Sequence, residues 1–166
     1  LRDPAGIRPT YWYADEEVVV VASERPAIQT AFHVKTEQVQ ELTPGHALII
    51  RKDGSYSEQQ VRAPLEKRAC SFERIYFSRG SDRDVYRERI ALGRSVCPAI
   101  LEAVDHDLEN TVFSFIPNTA EVACYGMLKE MEDELDRVKE KRILELGANP
   151  DAAALRKILS LRPRLE

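Results

Sequence analysis

Along the first third of the chain, apolar positions come as short unbroken runs rather than helical stripes. Glu17 to Ala22 (EVVVVA) and His46 to Arg51 (HALIIR) are each of strand length, rich in branched apolar residues and bounded by turn chemistry, so both read as strands. Asp53-Gly54 suits a tight hairpin turn, which makes Ser57 to Arg62 the returning strand. Together these predict the antiparallel tail of some larger sheet. Asp3, Pro4 and Gly6 sit at the first, second and fourth places of a type I turn, where an acceptor side chain, a fixed φ and a free φ are favoured. Between the first two strands, Ser23-Glu24-Arg25-Pro26 opens a short helix to Phe32, with Ser23 as N-cap and Pro26 tolerated in the first turn.

After the polar passage Ala63 to Arg68 the pattern changes, and a domain boundary is expected there. Beyond it strand and helix alternate: the apolar, aromatic run Phe72 to Phe77, a helix over Asp84 to Val104, and a buried-type strand over Thr111 to Ile116. Pro98 lies inside that helix, where proline costs about 3 kcal/mol, so a kink or two helices is expected. From Asn118, Val122, Tyr125, Leu128, Met131, Leu135 and Val138 recur every three or four residues, one face of a long helix. Between Lys129 and Arg142 nearly everything else is charged, acids first and bases after, an order that suits the helix dipole and describes a solvated face. Gly147 is a stop signal, and Asn149-Pro150-Asp151 starts a last helix through Leu161.

Composition narrows the class. Asp plus Glu total 28 against 24 Lys plus Arg, so the net charge of -4 gives no broad footprint for a phosphate backbone, and nucleic acid is not expected as a partner. The longest apolar run is far short of the roughly 20 residues that cross a bilayer, so no membrane partner is expected either. Leu1-Arg2-Asp3-Pro4 has no signal core or basic leader and reads as a cut inside a longer chain. Cys70, Cys97 and Cys124 are evenly spaced, but their flanks are unalike and none forms a CxxC pair; they read as three reduced thiols of a cytoplasmic protein. His33, His46 and His106 are scattered and suggest no zinc site.

Four segments, Arg2-Asp3-Pro4-Ala5-Gly6-Ile7-Arg8-Pro9, Val21-Ala22-Ser23-Glu24, Leu42-Thr43-Pro44-Gly45-His46 and Cys70-Ser71-Phe72-Glu73-Arg74-Ile75-Tyr76-Phe77-Ser78-Arg79, resemble the glutamine phosphoribosylpyrophosphate amidotransferase family in order and spacing. The first two are shared with other glutaminases that use an N-terminal cysteine. The CSFERIYFSR segment is specific, since it is similar to the family's passage from glutaminase into transferase. Val85-Tyr86-Arg87-Glu88-Arg89 and Phe115-Ile116-Pro117-Asn118-Thr119 extend the resemblance to about residue 130. Three departures stand out: a short Gly80 to Arg83 loop, Ala120 where a hydroxyl residue is common, and Glu121 beside a phosphate loop.

The resemblance implies an α+β or α/β arrangement: residues 1–66 as the C-terminal strands of an N-terminal-nucleophile glutaminase domain, 67–130 as the start of a phosphoribosyltransferase-type domain, and 131–166 as a helical extension or insertion. It implies an enzyme that forms 5-phosphoribosylamine from phosphoribosyl pyrophosphate and glutamine in purine biosynthesis, with Mg²⁺ and as a homo-oligomer. The chain itself is expected to be inactive. Family glutamine hydrolysis uses an N-terminal cysteine, and Leu1 is not one; the paired-acid loop that holds phosphoribosyl pyrophosphate has no counterpart. Arg2, Asp3, Arg8 and Glu24 read as charged groups pairing around a buried turn rather than as a catalytic cluster.

What remains is the Pro117 to Ala120 loop between a strand and a helix N-terminus, a junction suited to an anion. Asn118, Thr119 and Ala120 are the pyrophosphate candidates, and by resemblance Thr119 is also a Mg²⁺-contacting hydroxyl. The alternative is that Asn118 only caps the helix, with Glu121 completing a capping box. Cys70 matches one iron-sulfur ligand position of some family members, but a cluster held by Cys70, Cys97 and Cys124 has no support from spacing. A rival from another class is a non-enzymatic scaffold or interaction module derived from the family. Another class II glutamine amidotransferase is a third reading.

Overall fold

The computed structural model describes residues 1–166 and is a mixed α/β structure. It divides into two compact units, Leu1–Val85 and Tyr86–Glu166.

In the first unit, β1 (Tyr11–Ala14) is the centre of a three-stranded antiparallel sheet, paired with β2 (Val19–Ala22) on one side and β3 (Gln40–Glu41) on the other. The branched run is thus a strand only from Val19, because Asp15 caps the connecting turn through the amides of Glu17 and Val18. The polar-aromatic strand Tyr11–Ala14 has no long apolar run to announce it, yet it carries Trp12, which is 6% exposed and meets the Tyr56 ring edge-on at 5.5 Å. β4 (His46–Ile50) and β5 (Tyr56–Gln60) form the expected hairpin, with Gly54 at φ +83 in its turn. Helix α1 (Arg25–Phe32) starts after Glu24, and no side chain caps it, so the expected Ser23 cap is not made. Proline in its first turn removes one N–H that would otherwise need a cap.

The Asp3 turn forms as its residues dictate. Gly6 N–H donates to the Asp3 carbonyl at 3.1 Å with Gly6 at φ +60, and the Asp3 carboxylate accepts from the amides of Ala5 and Ile7. The passage around Ala63 to Arg68 is laced to this turn: Leu65, Arg68 and Cys70 amides donate to the carbonyls of Pro4, Ala5 and Ile7. Phe72 to Phe77, expected as a strand, is instead a π-helical turn over Glu73–Phe77. Its aromatic side chains stack on one another (Phe72 on Tyr76 at 5.1 Å) and stay exposed, so no sheet claims them. Glu73, the buried member, pairs with Arg8 at 2.6 Å.

The second unit is helical. Helix α2 (Arg83–Ala103) begins in the first unit and continues through Pro98 as one helix, so of the expected kink or two helices the second is not realised. Cys97 beside the proline is wholly buried and Leu101 is 4% exposed, and burial of this order (about 1.5–3 kcal/mol for a large apolar side chain) offsets the proline's cost. Helix α3 (Glu121–Glu145) comes next, ending before Gly147 at φ +76, and then α4 (Ala152–Leu159), capped by the Asp151 carboxylate on the Ala154 amide. Cys97, Leu101, Phe113, Cys124, Met127 and Met131 form the core. The strand expected over Thr111 to Ile116 shrinks to β6 (Val112–Phe113), which pairs in parallel with β7 (Arg164–Leu165). A ladder extends only as far as its partner, and Ile116 beyond it is 84% exposed.

Candidate functional site

The Pro117 to Ala120 segment is a turn that delivers the chain into α3. Asn118 takes a left-handed conformation (φ +79), which asparagine tolerates better than most residues. Its carbonyl accepts from the Glu121 amide at 3.4 Å, and Cys124 N–H reaches the Ala120 carbonyl at 2.9 Å. Between them, the amides of Val122 and Ala123 find no backbone acceptor. Ala120 occupies the N-cap position and no side chain caps the helix.

The capping-box alternative is therefore corrected: Asn118 does not cap α3, and the Glu121 carboxylate turns along the helix to accept from the Tyr125 hydroxyl at 2.6 Å. That bond raises the Tyr125 phenol above its ordinary pKa. Tyr125 also meets Phe115 edge-on at 6.2 Å, joining the strand side of the loop to the helix side. Thr119 is half-buried with no hydrogen bond to its hydroxyl, while Asn118 and Ala120 are exposed. The junction thus presents open amides and a helix N-terminus, which favour an anion, with a free hydroxyl beside them.

Cys70 is half-buried in the first unit; Cys97 and Cys124 lie in the core of the second, where burial pushes both thiols above their ordinary pKa. All three are free, and no group of three or more His, Cys, Asp or Glu side chains could hold a metal ion. Around the Asp3 turn, Arg2 is almost fully buried and donates to the carbonyls of Arg8 (3.1 Å) and Leu42 (2.5 Å) while pairing with Glu41 at 2.8 Å. Glu24 pairs with Arg79 at 3.3 Å. These charges tie segments together as expected of a structural cluster.

One charged cluster had no local sign. Arg25 at the start of α1 grips Asp82 bidentately (3.0 and 2.7 Å) and Asp84 at 2.7 Å. Asp82 also caps α2 through the amides of Asp84 and Val85, the one part a capping pattern before the helix could have revealed. Burial opposes the charge on Asp82, but the Arg25 bond and the two N–H groups outweigh it and hold the carboxyl below its usual range.

No helix is long and apolar enough to cross a membrane. No family model matches the chain. Three curated relatives do, each an amidophosphoribosyltransferase. That of Bacillus subtilis is 30% identical over 157 residues (91% of this chain, 31% of the relative). That of Methanothermobacter thermautotrophicus is 34% identical over 101 residues (58% and 20%), and that of Lachancea kluyveri 30% over 139 residues (72% and 25%). The chain thus spans less than a third of each relative's length. The solved glutamine phosphoribosylpyrophosphate amidotransferase of B. subtilis, complexed with ADP and GMP, matches over 98% of this chain and 34% of its own at a TM-score of 0.57 and 24% identity. The fold is shared along nearly the whole chain, residues beyond 130 included.

Proposed function

The chain carries amidophosphoribosyltransferase-family sequence over a partial match, and from that premise we propose that it is a stretch of an enzyme making 5-phosphoribosylamine from phosphoribosyl pyrophosphate and glutamine, in purine biosynthesis. The observation that carries this reading is the 157-residue alignment to the B. subtilis amidophosphoribosyltransferase, taking in 91% of the chain. In this reading residues 1–66 close a class II glutaminase domain, 67–130 open the phosphoribosyltransferase-type domain, and 131–166 are a helical extension. Residues 67–85 share one compact unit with residues 1–66, and the Arg68 and Cys70 amides donate to carbonyls of the Asp3 turn region.

Within the stretch, the Pro117 to Ala120 loop is the pyrophosphate subsite. The unbonded amides of Val122 and Ala123 and the dipole of α3 supply positive potential, and the Glu121 carboxylate is held by Tyr125 rather than left free to the loop. Mg²⁺ fits only as a passenger of the phosphate. It keeps several waters and normally takes one or two carboxylates with substrate phosphates, whereas here the loop offers neutral oxygens, the Thr119 hydroxyl among them, and no cluster of carboxylates. When bound, the ion would neutralise phosphate charge. Cys70 is the position to test for an iron-sulfur ligand.

By itself the 166-residue chain hydrolyses no glutamine in this reading. Its three cysteines are internal, so none has the α-amino group that the family's nucleophile uses as base, and Cys97 and Cys124 are buried with raised pKa. The test uses the whole natural protein containing this stretch. Glutamine-dependent release of pyrophosphate from phosphoribosyl pyrophosphate supports the reading; full-length protein that binds neither substrate would replace it with a non-catalytic module of the same descent.

A further inference from the structure

In the second unit, α2, α3 and the segment after α4 enclose a cavity of about 140 Å³ that the transferase reading does not use. Leu101, Leu108, Leu135, Val138 and Leu161 give it an apolar wall. An apolar cavity of about 150 Å³ accommodates one benzene ring. The wall is held in place from two directions. The short β6–β7 ladder and the bond from the Glu166 amide to the Phe113 carbonyl tether the segment bearing Leu161. The turn after α2 places Leu108 through consecutive left-handed residues, Asp105 and His106.

The charges around the cavity are unequally committed. Asp107 accepts from the Asn110 amide and side chain, Glu134 is bonded to Arg137 at 2.6 Å, and Glu109 faces Arg142 at 3.9 Å. The last carbonyls of α2 are likewise taken: Ile100, Leu101 and Glu102 accept from the amides of Val104, His106 and Asp105. Arg162 also lines the cavity and has no bonded partner. The side chains left over are the Arg162 guanidinium and the His106 imidazole, beside a ring-sized space with one apolar wall.

We propose that this cavity is a binding site for a small monocarboxylate with an aromatic or branched-alkyl body, the apolar part against the leucines and the carboxylate on Arg162. Arginine suits that head group because its planar fork matches a carboxylate with two parallel bonds. The site is independent of the pyrophosphate loop, so either can fail without the other.

The test is titration of the 166-residue chain with benzoate and 4-methylpentanoate, with toluene and benzylamine in parallel, following backbone amide shifts. Both carboxylates should give saturable shifts at Leu108, Leu135, Val138 and Leu161, with benzylamine at least about tenfold weaker, as expected when one charge-assisted bond decides. Arg162→Gln, at an exposed position without bonds to lose, should weaken benzoate about tenfold and leave toluene unchanged. Val138→Phe, which fills the cavity, should abolish the shifts for every probe. Benzylamine binding as tightly as benzoate, benzoate indifferent to Arg162→Gln, or no saturable shift at these four residues would each overturn the proposal.

Discussion

Arg25, Asp82 and Asp84 illustrate what a residue does when its partners are far along the chain. Arg25 is 12% exposed and Asp82 6%, so removing the guanidinium leaves a nearly buried carboxylate with only N–H partners. Arg25→Met should destabilise the first unit by about 3–5 kcal/mol, read as a shift in the urea midpoint. The pH dependence comes from the sign of the shift. Asp82 has a folded-state pKa below its unfolded value, so its contribution is complete above the ordinary carboxylate value of about 3.9 and is lost as pH falls through the folded one. Urea stability should therefore fall below about pH 4, and Asp82→Asn should flatten that dependence. A slope unchanged by the substitution would remove Asp82 from the account. Thiol chemistry is as residue-specific: with Cys97 and Cys124 buried and their pKa raised, a thiol reagent at pH 8 should modify Cys70 first, as mass mapping of the folded chain can read out.

At the scale of elements, α2 and α3 approach so closely that their glycines cannot be replaced. A Cβ on Gly93 would run into the Ala123 carbonyl oxygen, and one on Gly126 into that of Ile90. Gly126→Ala should cost about 1–3 kcal/mol or more in thermal or urea unfolding, despite alanine's better helix propensity; a neutral or stabilising result would mean the helices are not in this contact. Such contacts separate the legible elements from the rest. The β4–β5 hairpin, the Asp3 turn, the Gly147 stop and the long helix are legible in the sequence because each rests on local chemistry: a branched run, a left-handed glycine, a repeat of apolar positions. The π-turn at Glu73–Phe77, the uninterrupted helix through Pro98 and the two-residue β6 are not, because burial and the supply of partners decide them. For the candidate site, the strand-loop-helix order around Thr119 is readable. The missing Asn118 cap is not, since it turns on Asn118's left-handed backbone and on Tyr125 claiming Glu121.

For the molecule as a whole, the three relatives and the shared fold agree on ancestry. The net charge of -4 gives phosphate no general welcome, so any anion must be held by local geometry. The Pro117 to Ala120 loop is where inherited sequence and open amides coincide, and pyrophosphate titration with and without Mg²⁺, monitored through the amide shifts of residues 117–122, tests it most directly. The account predicts weak, saturable shifts centred on Thr119 to Val122, strengthened by Glu121→Gln, with a Mg²⁺ dependence diminished in Thr119→Val. Shifts confined to other surfaces, or none at all, would contradict it and leave the loop as an ordinary turn.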